Sequence, residues 1–138
     1  MRLRVLLSGL TFFAVALALG VVPAAARAHP VNPWKPCTKT GTAGDDYLLG
    51  SAGADVLCGL GGSDTLAGLG GDDVLRGGPG PDRIQGDAGR DAMLGGYGSD
   101  LLWSYDGTHD HVNGGPGYDR APRGDRTLDF FSSIESFS

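Results

Sequence analysis

The stretch "GLGGSDTLAGLGGDDVLR", residues 59–76, returns on itself after nine residues: Gly59, Gly62, Asp64 and Leu66 come back as Gly68, Gly71, Asp73 and Leu75. A period of nine matches neither the 3.6-residue turn of a helix nor the two-residue alternation of a long strand. Set out in nines from Gly41, the chain reads GTAGDDYLL, GSAGADVLC, GLGGSDTLA, GLGGDDVLR, GGPGPDRIQ, GDAGRDAML and GGYGSDLLW, seven units without a gap to Trp103. Positions 1 and 4 are always Gly, position 6 is always Asp, and position 8 is always Leu, Ile or Met. An eighth unit, SYDGTHDHVN (104–113), carries one extra residue, and a ninth, GGPGYDRAP (114–122), weakens to Ala121 at position 8.

Each residue type has a physical reason for its place. Glycine reaches φ > 0 and lets backbones approach closely, so two glycines per unit permit a tight six-residue turn and leave three residues for a strand. A three-residue strand with its middle side chain inward needs one apolar position. A single such strand cannot bury its apolar face, so successive units must stack as parallel rungs. With two units per coil, an all-β parallel solenoid follows, its two sheets sharing a thin row of Leu48, Leu57, Leu66, Leu75, Ile84, Met93, Leu102 and Val112. Outward positions are mixed: Val56, Val74, Ala92 and Leu94 on one sheet, and Tyr47, Thr65, Arg83 and Leu101 on the other. The apolar stripe on the first sheet is a candidate partner surface.

Units two apart stack on the same side, which sorts the aspartates into two columns. One holds Asp46, Asp64, Asp82, Asp100 and Asp119, the other Asp55, Asp73, Asp91 and Asp110. Carboxylates stacked about 4.8 Å apart repel unless a cation intervenes. Flexible, oxygen-only ligation selects Ca²⁺ over Mg²⁺ or a transition metal. Counting gaps between stacked aspartates gives about five ions, and up to seven when the irregular units are included.

These nonapeptides resemble the G-G-x-G-x-D-x-U-x calcium-binding repeat of the repeats-in-toxin (hemolysin-type) family. The resemblance covers residues 41–122. It implies a right-handed parallel β-roll of about nine repeats, in which the first six residues of each unit bind Ca²⁺ through backbone carbonyls and the position-6 aspartate. Carried over, the ligands are Asp46, Asp55, Asp64, Asp73, Asp82, Asp91, Asp100, Asp110 and Asp119. The chain departs from the pattern at position 2, which is glycine only at Gly78, Gly96 and Gly115. It departs again at Arg90, a cation beside Asp91.

The ends read differently. A short basic start, the apolar run VLLSGLTFFAVALALGVV (5–22) and the A-x-A pattern before His29 predict a helical secretory signal peptide over 1–28. Once it is removed, no membrane span is expected and the protein is extracellular. With Arg2, Arg4 and Arg27 gone, 8 basic residues face 16 acidic ones, a net charge of −8. That balance excludes nucleic acid as a partner and favours cations.

A proline-rich lead-in follows (29–40), with Trp34 placed to cover the first rung. Cys37 and Cys58, the only two cysteines, predict a disulfide in an oxidising compartment. Counting back nine residues sets 38–40 beside 56–58, and the lead-in must bend out of strict register to bring the sulfurs within reach. The tail (123–138) concentrates Phe130, Phe131, Ile134 and Phe137 and reads as a cap. The RGD at 123–125 is a coincidence of common residues, and "HDH" (109–111) belongs to the repeat around Asp110. No H-E-x-x-H or G-x-S-x-G motif occurs, so no enzyme is expected. The reading is a secreted, Ca²⁺-binding structural or interaction module with an extracellular protein or cell-surface partner. The alternative is an accessory module acting in trans with a separate toxin or hydrolase.

Overall fold

The computed structural model describes residues 35–121 and 129–137. The expected signal peptide (1–28), Trp34 and the RGD triplet lie outside the described residues. Among those residues there is no helix.

The chain winds as a parallel β-solenoid of two six-stranded sheets. One sheet stacks β1 (Lys39–Thr40), β3 (Val56–Cys58), β5 (Val74–Pro79), β7 (Ala92–Tyr97), β9 (His111–Asn113) and β11 (Phe130–Ser132) in that order. The other stacks β2 (Tyr47–Ser51), β4 (Thr65–Leu69), β6 (Arg83–Gln85), β8 (Leu101–Trp103), β10 (Arg120–Ala121) and β12 (Ser136–Phe137). Register follows the period: Leu57 faces Leu75, Leu75 faces Met93, Leu66 faces Ile84 and Ile84 faces Leu102. Each pair is two nonapeptides apart, so the repeat length alone sets the stacking.

The core is one side chain thick. Leu57, Leu75, Met93 and Val112 from one sheet meet Leu66, Ile84 and Leu102 from the other, all fully buried. At the ends the row is completed by half-buried residues, Leu48 at one and Phe131 and Ile134 at the other. Burying a side chain of this size contributes roughly 1.5–3 kcal/mol, which leaves a thin core for so many ordered residues.

The turns decide where glycine is obligatory. Gly80 has φ +134°, and a Cβ there would stand 1.8 Å from the carbonyl oxygen of Gly62, one rung earlier. Gly53, also at position 4, lacks a positive φ and has nothing within 4 Å of its Cβ position.

Two features depart from the outward pattern expected of the strands. Val56 and Ala92 are buried, and Val74 and Leu94 are half-buried, so the stripe on the first sheet presents no open apolar face. Thr38, whose N–H and hydroxyl both bond the Val56 carbonyl, stacks directly on that rung. The tail also continues the solenoid: β11 pairs with β9 and β12 with β10.

At the other end, Lys39 pairs with Leu57 and Thr40 with Cys58, and the Cys37–Cys58 disulfide forms across a Cα separation of 6.0 Å. Cys37 therefore bends out of strict register. The Arg76 guanidinium lies 3.6 Å from Cys58 Sγ and donates to the Lys35 carbonyl at 3.2 Å, packing the lead-in onto the third rung of its sheet.

Candidate metal centre

The aspartates stand in the two columns the spacing implies, joined by a repeated bond. From the second aspartate of each column on, the Oδ1 atom accepts the backbone N–H of the aspartate one rung earlier. In one column Asp64 accepts from Asp46, Asp82 from Asp64, Asp100 from Asp82 and Asp119 from Asp100, at 2.8–2.9 Å. In the other Asp73 accepts from Asp55, Asp91 from Asp73 and Asp110 from Asp91, at 2.7–2.9 Å. The side chain that would hold an ion thus also fixes the preceding rung.

The second oxygen turns inward. Asp64, Asp73, Asp82, Asp91, Asp100 and Asp119 are almost fully buried, and the Oδ2 atom of each has no hydrogen-bond partner. Each Oδ2 lies over the position-1 glycine of its own unit. A Cβ on Gly59 would sit 2.1 Å from Asp64 Oδ2, and one on Gly77 2.1 Å from Asp82 Oδ2. The same Cβ positions lie 2.7 and 2.6 Å from the carbonyl oxygens of Gly77 and Gly95, one rung on. Position 1 is therefore glycine because a carboxylate oxygen and a carbonyl occupy the space a side chain would fill.

A buried carboxylate oxygen without a donor is costly, on the order of 1–3 kcal/mol or more when charged. The acid constants reflect it. Burial pushes Asp73, Asp82 and Asp100 up to about 6 and Asp91 up to about 8 from an ordinary 3.8, and raises Asp64 and Asp119 as well. For Asp91 the neighbouring charges that add to burial are Asp110, Asp73 and Asp106; Arg90 turns its backbone N–H to Asp72 Oδ1 at 3.0 Å. Asp55 behaves oppositely: bonds from Ser51, joined by Thr38, hold its carboxyl below the ordinary value against desolvation.

These donors fit a hard cation. They are all oxygen, buried, anionic and set among turn carbonyls, with no sulfur or imidazole. Among the described residues no three His, Cys, Asp or Glu side chains converge on one point. Where one carboxylate faces each turn, carbonyl oxygens have to complete the shell.

Two carboxylates in the stacks do not belong to the regular nonapeptides. Asp129 accepts the Asp110 N–H at 3.0 Å and the Ser104 hydroxyl at 2.6 Å, extending the second column. Glu135 accepts the Asp119 N–H at 2.5 Å and ends the first. The tail lacks the paired glycines that mark a repeat, so a nine-residue frame stops before it. The remaining signal is the Asp129–Phe131 spacing, which repeats that of Asp110 and Val112.

The repeat family described as RTX calcium-binding nonapeptide repeat (4 copies) matches residues 40–66 and 67–102. No curated protein matches the chain. The matched span contains the first seven aspartates of the two columns, from Asp46 to Asp100. Residues 40–102 are thus similar to the repeats-in-toxin, calcium-binding nonapeptide repeat.

Proposed function

We propose that this protein is a secreted β-roll that folds when it binds several Ca²⁺ ions, has no catalytic activity of its own, and acts outside the cell as a structural or interaction module. The observation that carries the reading is the row of buried aspartate Oδ2 atoms with no protein donor. Without a cation these charges oppose the fold, and the core is too thin to override them. With Ca²⁺ in the turns the same charges become the attraction that closes successive rungs. Binding free energy is then folding free energy, and each ion held at 100 times its dissociation constant adds about 2.7 kcal/mol.

The ligands proposed are the position-6 aspartates together with turn carbonyls. When bound, the ion supplies the positive charge between rungs. The chain's own part is to hold each aspartate's Oδ1 on the preceding rung and leave Oδ2 for the metal. Export into a calcium-rich medium would couple secretion to folding. Circular dichroism and hydrodynamic radius across a calcium titration test this. A compact β-roll in Ca²⁺ and an expanded chain in chelator are expected, and identical spectra and radii in the two would overturn the proposal.

A further inference from the structure

The first turn of each column differs from every regular turn that follows. In the third to seventh units, positions 2 and 4 both take positive φ: Leu60 and Gly62, Leu69 and Gly71, Gly78 and Gly80, Asp87 and Gly89, Gly96 and Gly98. In the first two units, Thr42, Gly44, Ser51 and Gly53 do not. The aspartate oxygens change at the same boundary. Asp46 Oδ2 accepts the Thr42 N–H at 2.6 Å and the Thr42 hydroxyl at 2.9 Å, and Asp55 Oδ2 accepts the Ser51 hydroxyl at 2.7 Å. Asp55 Oδ1 takes a further bond from Thr38 Oγ1 at 3.0 Å. In Asp64, Asp73, Asp82, Asp91, Asp100 and Asp119 the corresponding Oδ2 atom has no such donor.

Backbone conformation and carboxylate pairing thus mark the same two turns independently. From this, and resting on the function proposed above, we infer that Thr42 and Ser51 close the first turn of each column in place of a metal ion, so that the metal-binding aspartates begin at Asp64 and Asp73. Hydroxyl and amide donors there do for one carboxylate what an ion does for the next. The end so closed is also the end held by other metal-independent bonds. The disulfide ties Cys37 to β3, and the Lys39 ammonium donates to the carbonyls of Leu49 and Gly50. The chain therefore carries its own starting rungs, on which metal-dependent rungs stack.

The test is the number of Ca²⁺ ions bound at saturation, measured by equilibrium dialysis and calorimetry on the disulfide-bonded chain. Asp46→Asn and Asp55→Asn are expected to keep the wild-type count, whereas Asp64→Asn and Asp73→Asn are each expected to lose at least one ion. Loss of an ion in either of the first pair overturns the inference. The double variant Thr42→Gly, Ser51→Gly, which removes both hydroxyl donors and installs the glycine that position 2 carries at Gly78 and Gly96, gives a second reading should an Asn variant fail to fold. It is expected to bind more ions than the wild type, and an unchanged or lower count overturns the inference. A wild-type chain that binds no calcium refutes the proposed function itself, which is a different result from any of these.

Discussion

The Oδ1 atom of Asp91 accepts the backbone N–H of Asp73 at 2.9 Å, while its Oδ2 atom is buried without a donor. One side chain therefore stabilises the fold through one oxygen and opposes it through the charge on the other. Asp91→Asn separates the two roles, because the amide oxygen still accepts the Asp73 N–H and the buried charge is gone. In chelator at pH 8 the variant is expected to be more folded than the wild type. In Ca²⁺ it is expected to bind fewer ions and to need more calcium at the folding midpoint. Circular dichroism with and without chelator checks both signs.

The metal-free chain should gain structure as the medium is acidified. A carboxyl raised in the folded state binds its proton more tightly there than in the unfolded chain, so stability falls as pH rises through the folded value. With Asp91 near 8 and Asp73, Asp82 and Asp100 near 6 against 3.8 unfolded, the gain accumulates between about pH 8 and about pH 4. Below that range it stops. Asp55, lowered in the fold, then loses its contribution as it protonates. Calcium affinity moves the other way, since protons compete for the same oxygens. Far-ultraviolet dichroism in chelator from pH 8 to 4 is expected to show a rising folded fraction; no change over that interval would contradict the burial of these groups.

Glycines at the same repeat position should differ in what they tolerate. Gly80→Ala places a methyl 1.8 Å from the Gly62 carbonyl oxygen at φ +134°, and is expected to cost more than about 2 kcal/mol. Gly53→Ala meets nothing within 4 Å and is expected to be neutral or stabilising by about 0.4–1 kcal/mol. Calcium midpoints of the two variants, measured side by side, test the contrast.

Breaking the Cys37–Cys58 bridge opens a loop closed across 21 residues of sequence separation and frees the lead-in from β3. The expected loss is roughly 3 kcal/mol, read as a higher calcium midpoint for Cys37→Ala, Cys58→Ala than for the oxidised wild type. Arg76 should then matter less, because its contacts with Cys58 Sγ and the Lys35 carbonyl depend on the lead-in being held in place. Arg76→Ala in the bridged and unbridged backgrounds forms the cycle that measures this coupling.

The nine-residue period by itself determined the parallel solenoid, the two aspartate columns, the apolar row from Leu57 to Val112, and the register that sets Lys39 beside Leu57. The first three depend on residues two units apart being of the same kind, which a sequence displays directly, and the last on carrying the same count back beyond Gly41. The tertiary structure alone decided what each repeated residue has as its neighbour. The space beyond Gly80 holds a carbonyl and the space beyond Gly53 is open, although both are position-4 glycines. Asp46 and Asp55 have hydroxyl donors on Oδ2 and Asp64 and Asp73 do not. Asp129 and Phe131 join the stack without the glycines that mark a repeat, and Val56 is buried in a position the alternation turns outward. The reason is common to these cases. A strict repeat describes a rung with identical rungs on both sides, whereas the ends of a solenoid are shaped by whatever segment happens to lie against them.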